Sequence, residues 1–235
     1  MLRLAVLASI WSIAATCASA VTLTVDGTDA IYGAGLTGNG VSTAPAEYMF
    51  SAAAGNYIEF SSVTGVAGCC GGSPTIGPDG AGGATTITAL NGISGISVNR
   101  RIFLAGVFID SSAPPVSGNQ PASLSYGVSP TVGDTSFSPL LNQAFFIGDG
   151  LTGTGAGSIQ KFFAPSDSDK LLLGLIDGFA FSGTPSFYGD NPGQFRATFE
   201  LKNDETPGGV VPLPATGWML IAGLGGIALA KRRKK

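Results

Sequence analysis

Between residues 21 and 201 the apolar runs are short, and Gly, Pro, Asn and Asp recur between them, so no stretch carries a helical period. Glycine costs backbone entropy in a helix and proline breaks one. The 36 glycines and 14 prolines among 235 residues therefore weigh against an α-helical domain. Several runs instead alternate with the twofold period of a half-buried strand. Val21-Thr22-Leu23-Thr24-Val25 and Tyr57-Ile58-Glu59-Phe60 are two of them. The cleanest, from Phe195 to Leu201, places Phe195, Ala197, Phe199 and Leu201 on one face. Ile102 to Ile109, Ala144 to Ile147 and Leu171 to Ile176 are continuous apolar runs, suited to central strands covered on both faces. An apolar content of 44% is enough for a real core and argues against wholesale disorder. Eight or so short strands at this spacing predict an all-β fold, a jelly-roll β-sandwich.

The two ends differ from this domain. In residues 1–20, Arg3 supplies a positive start, Leu4 to Ala15 an apolar core, and Ala18-Ser19-Ala20 a small-residue cleavage site. That order predicts a signal peptide removed by signal peptidase, with Val21 as the mature start. The domain then covers 21–201, a polar linker 202–210, and a tail 211–235. In the tail an apolar segment from Gly217 to Ala230 meets five cations, Lys231 to Lys235. Such a segment falls short of the ~20 residues that cross a bilayer comfortably. Even so, the basic end would hold it at the cytoplasmic face as a short transmembrane helix. Pro212 and Pro214 make Val211-Pro212-Leu213-Pro214-Ala215 a stiff, extended handle in front of it. Handle, glycine-punctuated apolar segment and basic end together resemble the PEP-CTERM sorting tail. The resemblance implies processing by an exosortase in Gram-negative bacteria that make exopolysaccharide. Leu213-Pro214-Ala215-Thr216-Gly217 also matches the LPXTG motif of Gram-positive sortase substrates, but the leading Val-Pro and the glycines favour PEP-CTERM. The expected route crosses the inner membrane, through a membrane-tethered precursor, to the cell surface or extracellular matrix.

Composition excludes several functions. Net charge is -3, and five of the 12 basic residues stand in the last five positions, which leaves no basic face for nucleic acid. There is no histidine, so the commonest general base, the usual zinc ligand and every His-based triad are missing. An enzyme is therefore not expected; a glycosidase-like carboxylate pair would have to come from Asp177 and Asp190, whose separation the sequence does not set. Cys17 falls within the signal, leaving the adjacent Cys69 and Cys70. Two ordinary loop thiols, a strained vicinal disulfide and a bond to another chain all remain open.

Two stretches, Gly33 to Gly38 and Gly148 to Gly153, spell G-x-G-x-x-G. That motif holds a dinucleotide only between a strand and a helix, and no helical pattern follows either copy, so both are turns. Ser166-Asp167-Ser168-Asp169 lacks the remaining ligands of a calcium loop and reads as a solvated turn. Asp177 is different, because it ends an apolar strand while Tyr188-Gly189-Asp190-Asn191-Pro192-Gly193 leads into the last one. If that loop folds back, Asp177, Asp190 and Asn191 gather oxygen ligands for a hard cation; the alternative is an Asx-rich hairpin turn.

The stretch from Gln143 to Leu201 resembles the small calcium-dependent, galactose-binding bacterial lectins, and still more a set of PEP-CTERM proteins carrying that domain. The likeness lies in Phe145 to Gly150, Phe163-Ala164-Pro165, Leu171 to Gly178 and Tyr188 to Phe195, with Gly77-Pro78-Asp79-Gly80 similar to the loop edging the lectin pocket. It implies a jelly-roll sandwich and a calcium ion that contacts the sugar directly. The ion's ligands would fall on Asp177, Asp190, Asn191 and the Phe187 carbonyl, with another carbonyl near Cys69, and Asp79 would join the ligand pocket. Three departures stand out. Asp190 occupies a position where an amide is usual, and the lectin's pocket histidine has no counterpart. The loop from Gly178 to Ser186 is also longer, which threatens to draw Asp177 away from its partners. The resulting expectation is a non-enzymatic carbohydrate-binding module using calcium, associated with extracellular polysaccharide or biofilm. The alternative is a structural matrix or adhesion protein with no specific sugar site.

Overall fold

Phe103–Ile109 is buried at every position and Lys170–Ile176 at every position after its first, as strands covered on both faces must be. They pair antiparallel over seven residues, from Lys170 opposite Ile109 to Ile176 opposite Phe103, and form the middle of a sheet. The computed structural model describes residues 19–36, 40–127, 131–153, 155–178 and 180–204. Most of the predicted signal peptide, part of the first G-x-G-x-x-G run and the predicted sorting motif Val211 to Ala215 lie outside them. No helix among the described residues is long and apolar enough to cross a membrane.

The described chain is almost all β, with strands β1 (Val21–Asp26), β2 (Ala46–Met49), β3 (Asn56–Ala67), β4 (Thr85–Ile87), β5 (Ile96–Val98), β6 (Phe103–Ile109) and β7 (Leu124–Ser125). There follow β8 (Ser136–Phe137), β9 (Phe145–Phe146), β10 (Lys161–Phe163), β11 (Lys170–Ile176), β12 (Phe181–Gly183) and β13 (Gly193–Asn203), with a single 3₁₀ turn at Tyr188–Asp190. One sheet has the order β1-β13-β3-β10-β8, a second β2-β11-β6-β9, and a third β12-β4-β5-β7. The third sheet has no counterpart in a simple sandwich. Its strands have two or three residues each, too short for alternation to register, yet Ile87, Ile96 and Val98 enter the common core.

Aromatic rings join the first two sheets. Phe162 of β10 stacks on Phe145 of β9 with centroids 5.5 Å apart and on Phe137 at 5.4 Å, and meets Phe60 edge-on at 5.7 Å. Tyr48 of β2 meets Phe199 of β13 edge-on at 5.1 Å. The face predicted for β13 holds, with Phe195, Ala197 and Phe199 buried and Leu201 half-buried. On β3 the alternation changes phase. Ile58 and Phe60 point inward, Ser61 and Ser62 are both exposed, and Val63 is buried. The cause is a bulge, since Thr198 faces Ser62 and Phe199 faces Phe60, leaving Ser61 extra. The apolar run predicted from Ile102 starts one residue later as a strand, because Ile102 is left-handed (φ 51°) and fully buried.

Phe162 is fully buried among these rings, so Phe162→Ala leaves a cavity between the sheets. The expected loss is about 3–5 kcal/mol of unfolding free energy, read from denaturant melts, with an unchanged m-value.

Candidate functional site

Asp177 is the first residue past β11, and Asp190 closes the 3₁₀ turn that precedes β13. The ends of a strand from each main sheet therefore meet here. Both carboxylates line a cleft of about 250 Å³ together with Cys70, Gly178, Phe181, Ser186 and Phe187. The long loop from Gly178 to Ser186 does not pull Asp177 away. It folds back as β12, parallel to β4, and the Thr85 hydroxyl donates to the Gly178 carbonyl at 3.1 Å. Phe181 thereby becomes a wall of the cleft.

The loop carrying Asp190 is held by main chain. Gly71 N–H donates to the Asp190 carbonyl and Gly68 N–H to the Pro192 carbonyl, each at 2.9 Å, and Gly27 N–H donates to the Gly193 carbonyl at 2.8 Å. Gly189 packs so closely on Gly40 that a Cβ there would lie 2.3 Å from the Gly40 carbonyl carbon. Backbone meets backbone at that point, and no side chain fits.

Asp177 is 9% exposed. Burial raises its carboxyl to about pH 7; the neighbouring Asn191 amide opposes the rise and the charge on Asp190 adds to it. Asn191 is 4% exposed. Although its amide is close enough to affect Asp177, neither Nδ2 nor Oδ1 makes a hydrogen bond of normal geometry, and neither does the fully buried Tyr188 hydroxyl. Buried polar atoms nearly always have partners, so this corner has donors and acceptors to offer. Burial also lifts the Cys69 thiol to about 11, helped by the Cys70 thiol and the charge on Asp177 and opposed by Arg101.

Of the residues singled out from sequence, Asp177, Asp190, Asn191 and Phe187 come together, whereas Asp79 does not join them. Its Oδ1 accepts from Asp149 N–H at 2.9 Å and sits where a Cβ on Gly148 would be 2.4 Å away, so it fastens the turn after β9. That turn is the second G-x-G-x-x-G run, and no helix follows it. The Cys69 carbonyl accepts from Gly72 N–H at 3.1 Å, and both cysteines are free thiols. Ser166 to Asp169 forms a turn, with Asp169 accepting from Ser111 N–H at 2.8 Å. Sequence reasoning missed Cys70, Phe181 and Ser186 as lining residues. The Gly68-Cys69-Cys70-Gly71-Gly72 run was the available signal for the first; nothing marked the other two.

Among the described residues no three His, Cys, Asp or Glu side chains are placed to hold a metal ion. The groups that do come together are the carboxyls of Asp177 and Asp190 and the Asn191 amide, whose oxygens suit a hard cation such as calcium.

The raised Asp177 carboxyl has a definite sign for stability. Below about pH 4 both folded and unfolded chains are protonated there. Between that pH and the folded value of about 7 only the folded chain keeps the proton, so stability falls as pH rises. The full loss is about 4 kcal/mol. In chelator-treated buffer, Asp177→Asn should be more stable than wild type at pH 8, by up to that amount, and equal to it at pH 4. Urea melts across this range check it; parallel pH profiles for the two proteins would refute the assignment. No family model matches the chain, nor does a curated protein or a solved structure.

Proposed function

We propose that this chain is an exported cell-surface or matrix protein whose jelly-roll domain binds carbohydrate without catalysis, through a calcium ion in the cleft. The observation that carries the reading is the buried Asp177 carboxyl beside the buried Asn191 amide, with Asp190 across the same cleft. A buried anion is costly unless a cation pairs with it, and calcium accepts both carboxylates, the Asn191 oxygen and the Phe187 carbonyl as ligands. Calcium keeps further positions for outside oxygens, which the hydroxyls of a sugar supply. Phe181 and the half-exposed Phe187 give the cleft apolar surface for the C–H face of a ring. Export and tethering rest on the N-terminal signal and on the handle Val211-Pro212-Leu213-Pro214-Ala215, the apolar segment and the basic end, with signal peptidase and an exosortase as processing partners. Extracellular polysaccharide is the ligand class such a destination offers. The lack of histidine, the commonest general base, supports a binder over a hydrolase.

Calcium at a hundred times its dissociation constant should stabilise the chelator-treated chain by about 2.7 kcal/mol. Glycan-array binding should vanish on adding chelator, and Asp190→Ala should weaken calcium binding at least about tenfold through loss of a charged ligand. No thermal shift with calcium and no glycan retained would leave the matrix-structural alternative in its place.

A further inference from the structure

Cys69 to Gly72 makes a tight turn whose central residues, Cys70 and Gly71, both have positive φ, 62° and 68°. That is the pattern of a type I′ turn, where Gly, Asn and Asp are the usual occupants and cysteine is not. The turn is pinned by the Gly71 hydrogen bond to the Asp190 carbonyl. It therefore presents Cys70, exposed and free, to the same cleft as Asp177 and Asp190. Cys69 is half-buried alongside, its thiol within hydrogen-bonding reach of Cys70. An accessible thiol thus faces two carboxyl groups across about 250 Å³, with a second thiol at its side. Negative charge in the cleft selects reagents that carry positive charge.

We propose that Cys70 is a thiolation site selective for amine-bearing disulfides, and that the adduct's ammonium group occupies the cleft between Asp177 and Asp190. The displacement of calcium that follows rests on the calcium reading of that cleft; the thiolation does not. In the step, the Cys70 thiolate attacks one sulfur of a small dialkyl disulfide. A Cys70–sulfur bond forms, the reagent's S–S bond breaks, and the other half leaves as a thiolate that takes up the proton Cys70 lost. The protein thiol and one reagent sulfur end as a mixed disulfide, and the other reagent sulfur is reduced to a thiol. Cys69 does not readily resolve the adduct into a ring, because neighbouring Cα atoms ~3.8 Å apart are closer than a relaxed disulfide spans.

The test compares cystamine, a dication, with dithiodiglycolate, a dianion, on the full chain. Each rate is divided by that of the same reagent on the urea-unfolded chain, and the adduct is mapped by peptide mass spectrometry. The expected result is an adduct on Cys70, with cystamine favoured by about tenfold or more at low salt and the preference shrinking in high salt. Asp190→Asn should lower the preference, and Cys70→Ser should abolish the adduct. The calcium thermal shift should disappear from the cystamine adduct and return with dithiothreitol. Reaction first at Cys69, or equal normalised rates for the two reagents, overturns the proposal. If the untreated chain shows no calcium shift, the calcium reading fails while mapping and rates still decide the thiolation site. If the shift survives full thiolation, the adduct does not occupy the cleft.

Discussion

The ladder between β13 and β3 fixes everything near the cleft. β13 is paired along its length, with β1 from Gln194 to Phe199 on one side and with β3 from Gly193 to Asn203 on the other. A strand held on both sides cannot slide without moving every side chain to the wrong face. Its N-terminal end is therefore a fixed point, and the loop from Tyr188 to Pro192 inherits that position. The bulge at Ser61 belongs to the same constraint. It lets Phe60 and Val63 both face inward along β3 while β13 keeps unbroken alternation opposite.

Left-handed conformations of residues other than glycine gather around the cleft. Four residues other than glycine and asparagine have positive φ among the described residues: Cys70, Ile102, Ala180 and Phe187. Two of them line the cleft, and Ala180 lies between the lining residues Gly178 and Phe181. Strain of this kind costs about 1–3 kcal/mol per residue and persists only where surrounding structure over-determines it. Here the main-chain bonds from Gly68 and Gly71 supply that determination. The buried Asp177 carboxyl adds an electrostatic cost in the same place, and the aromatic contacts of Phe162, Phe60 and Phe199 help the fold bear both.

Long strands were legible from sequence because period and burial coincide in them. Val21 to Val25 and Phe195 to Leu201 alternate, and the apolar runs ending at Ile109 and Ile176 are buried throughout. The third sheet was not legible: β4, β5, β7 and β12 are too short for a period, and two of its three pairings are parallel. At the site, Asp177, Asp190 and Asn191 could be found because an acidic residue at the end of an apolar strand is conspicuous. Asp79, expected in the pocket only from the likeness of Gly77-Pro78-Asp79-Gly80 to a lectin loop, is used up locally, accepting from Asp149 N–H. Sequence could not separate the two, since the difference lies in which backbone N–H groups the fold brings within reach.

The loop after Asp177 shows how a long connection can build one wall of a cleft. A connection of this length after Gly178 would be expected to loosen the strand end. In this fold the third sheet offers β4 as an edge, and Phe181 to Gly183 pair with Thr85 to Ile87. Main-chain pairing costs the loop its freedom but holds Phe181 beside Asp177, and the Thr85 hydroxyl secures the Gly178 carbonyl at the hinge. Among the described residues, the same short strand is the only element of the third sheet that reaches the cleft lining. Changes in the length or composition of this loop would therefore reshape the apolar wall while leaving Asp177, Asp190 and Asn191 anchored on β11 and β13. The arrangement separates what holds the charged groups from what shapes the space around them.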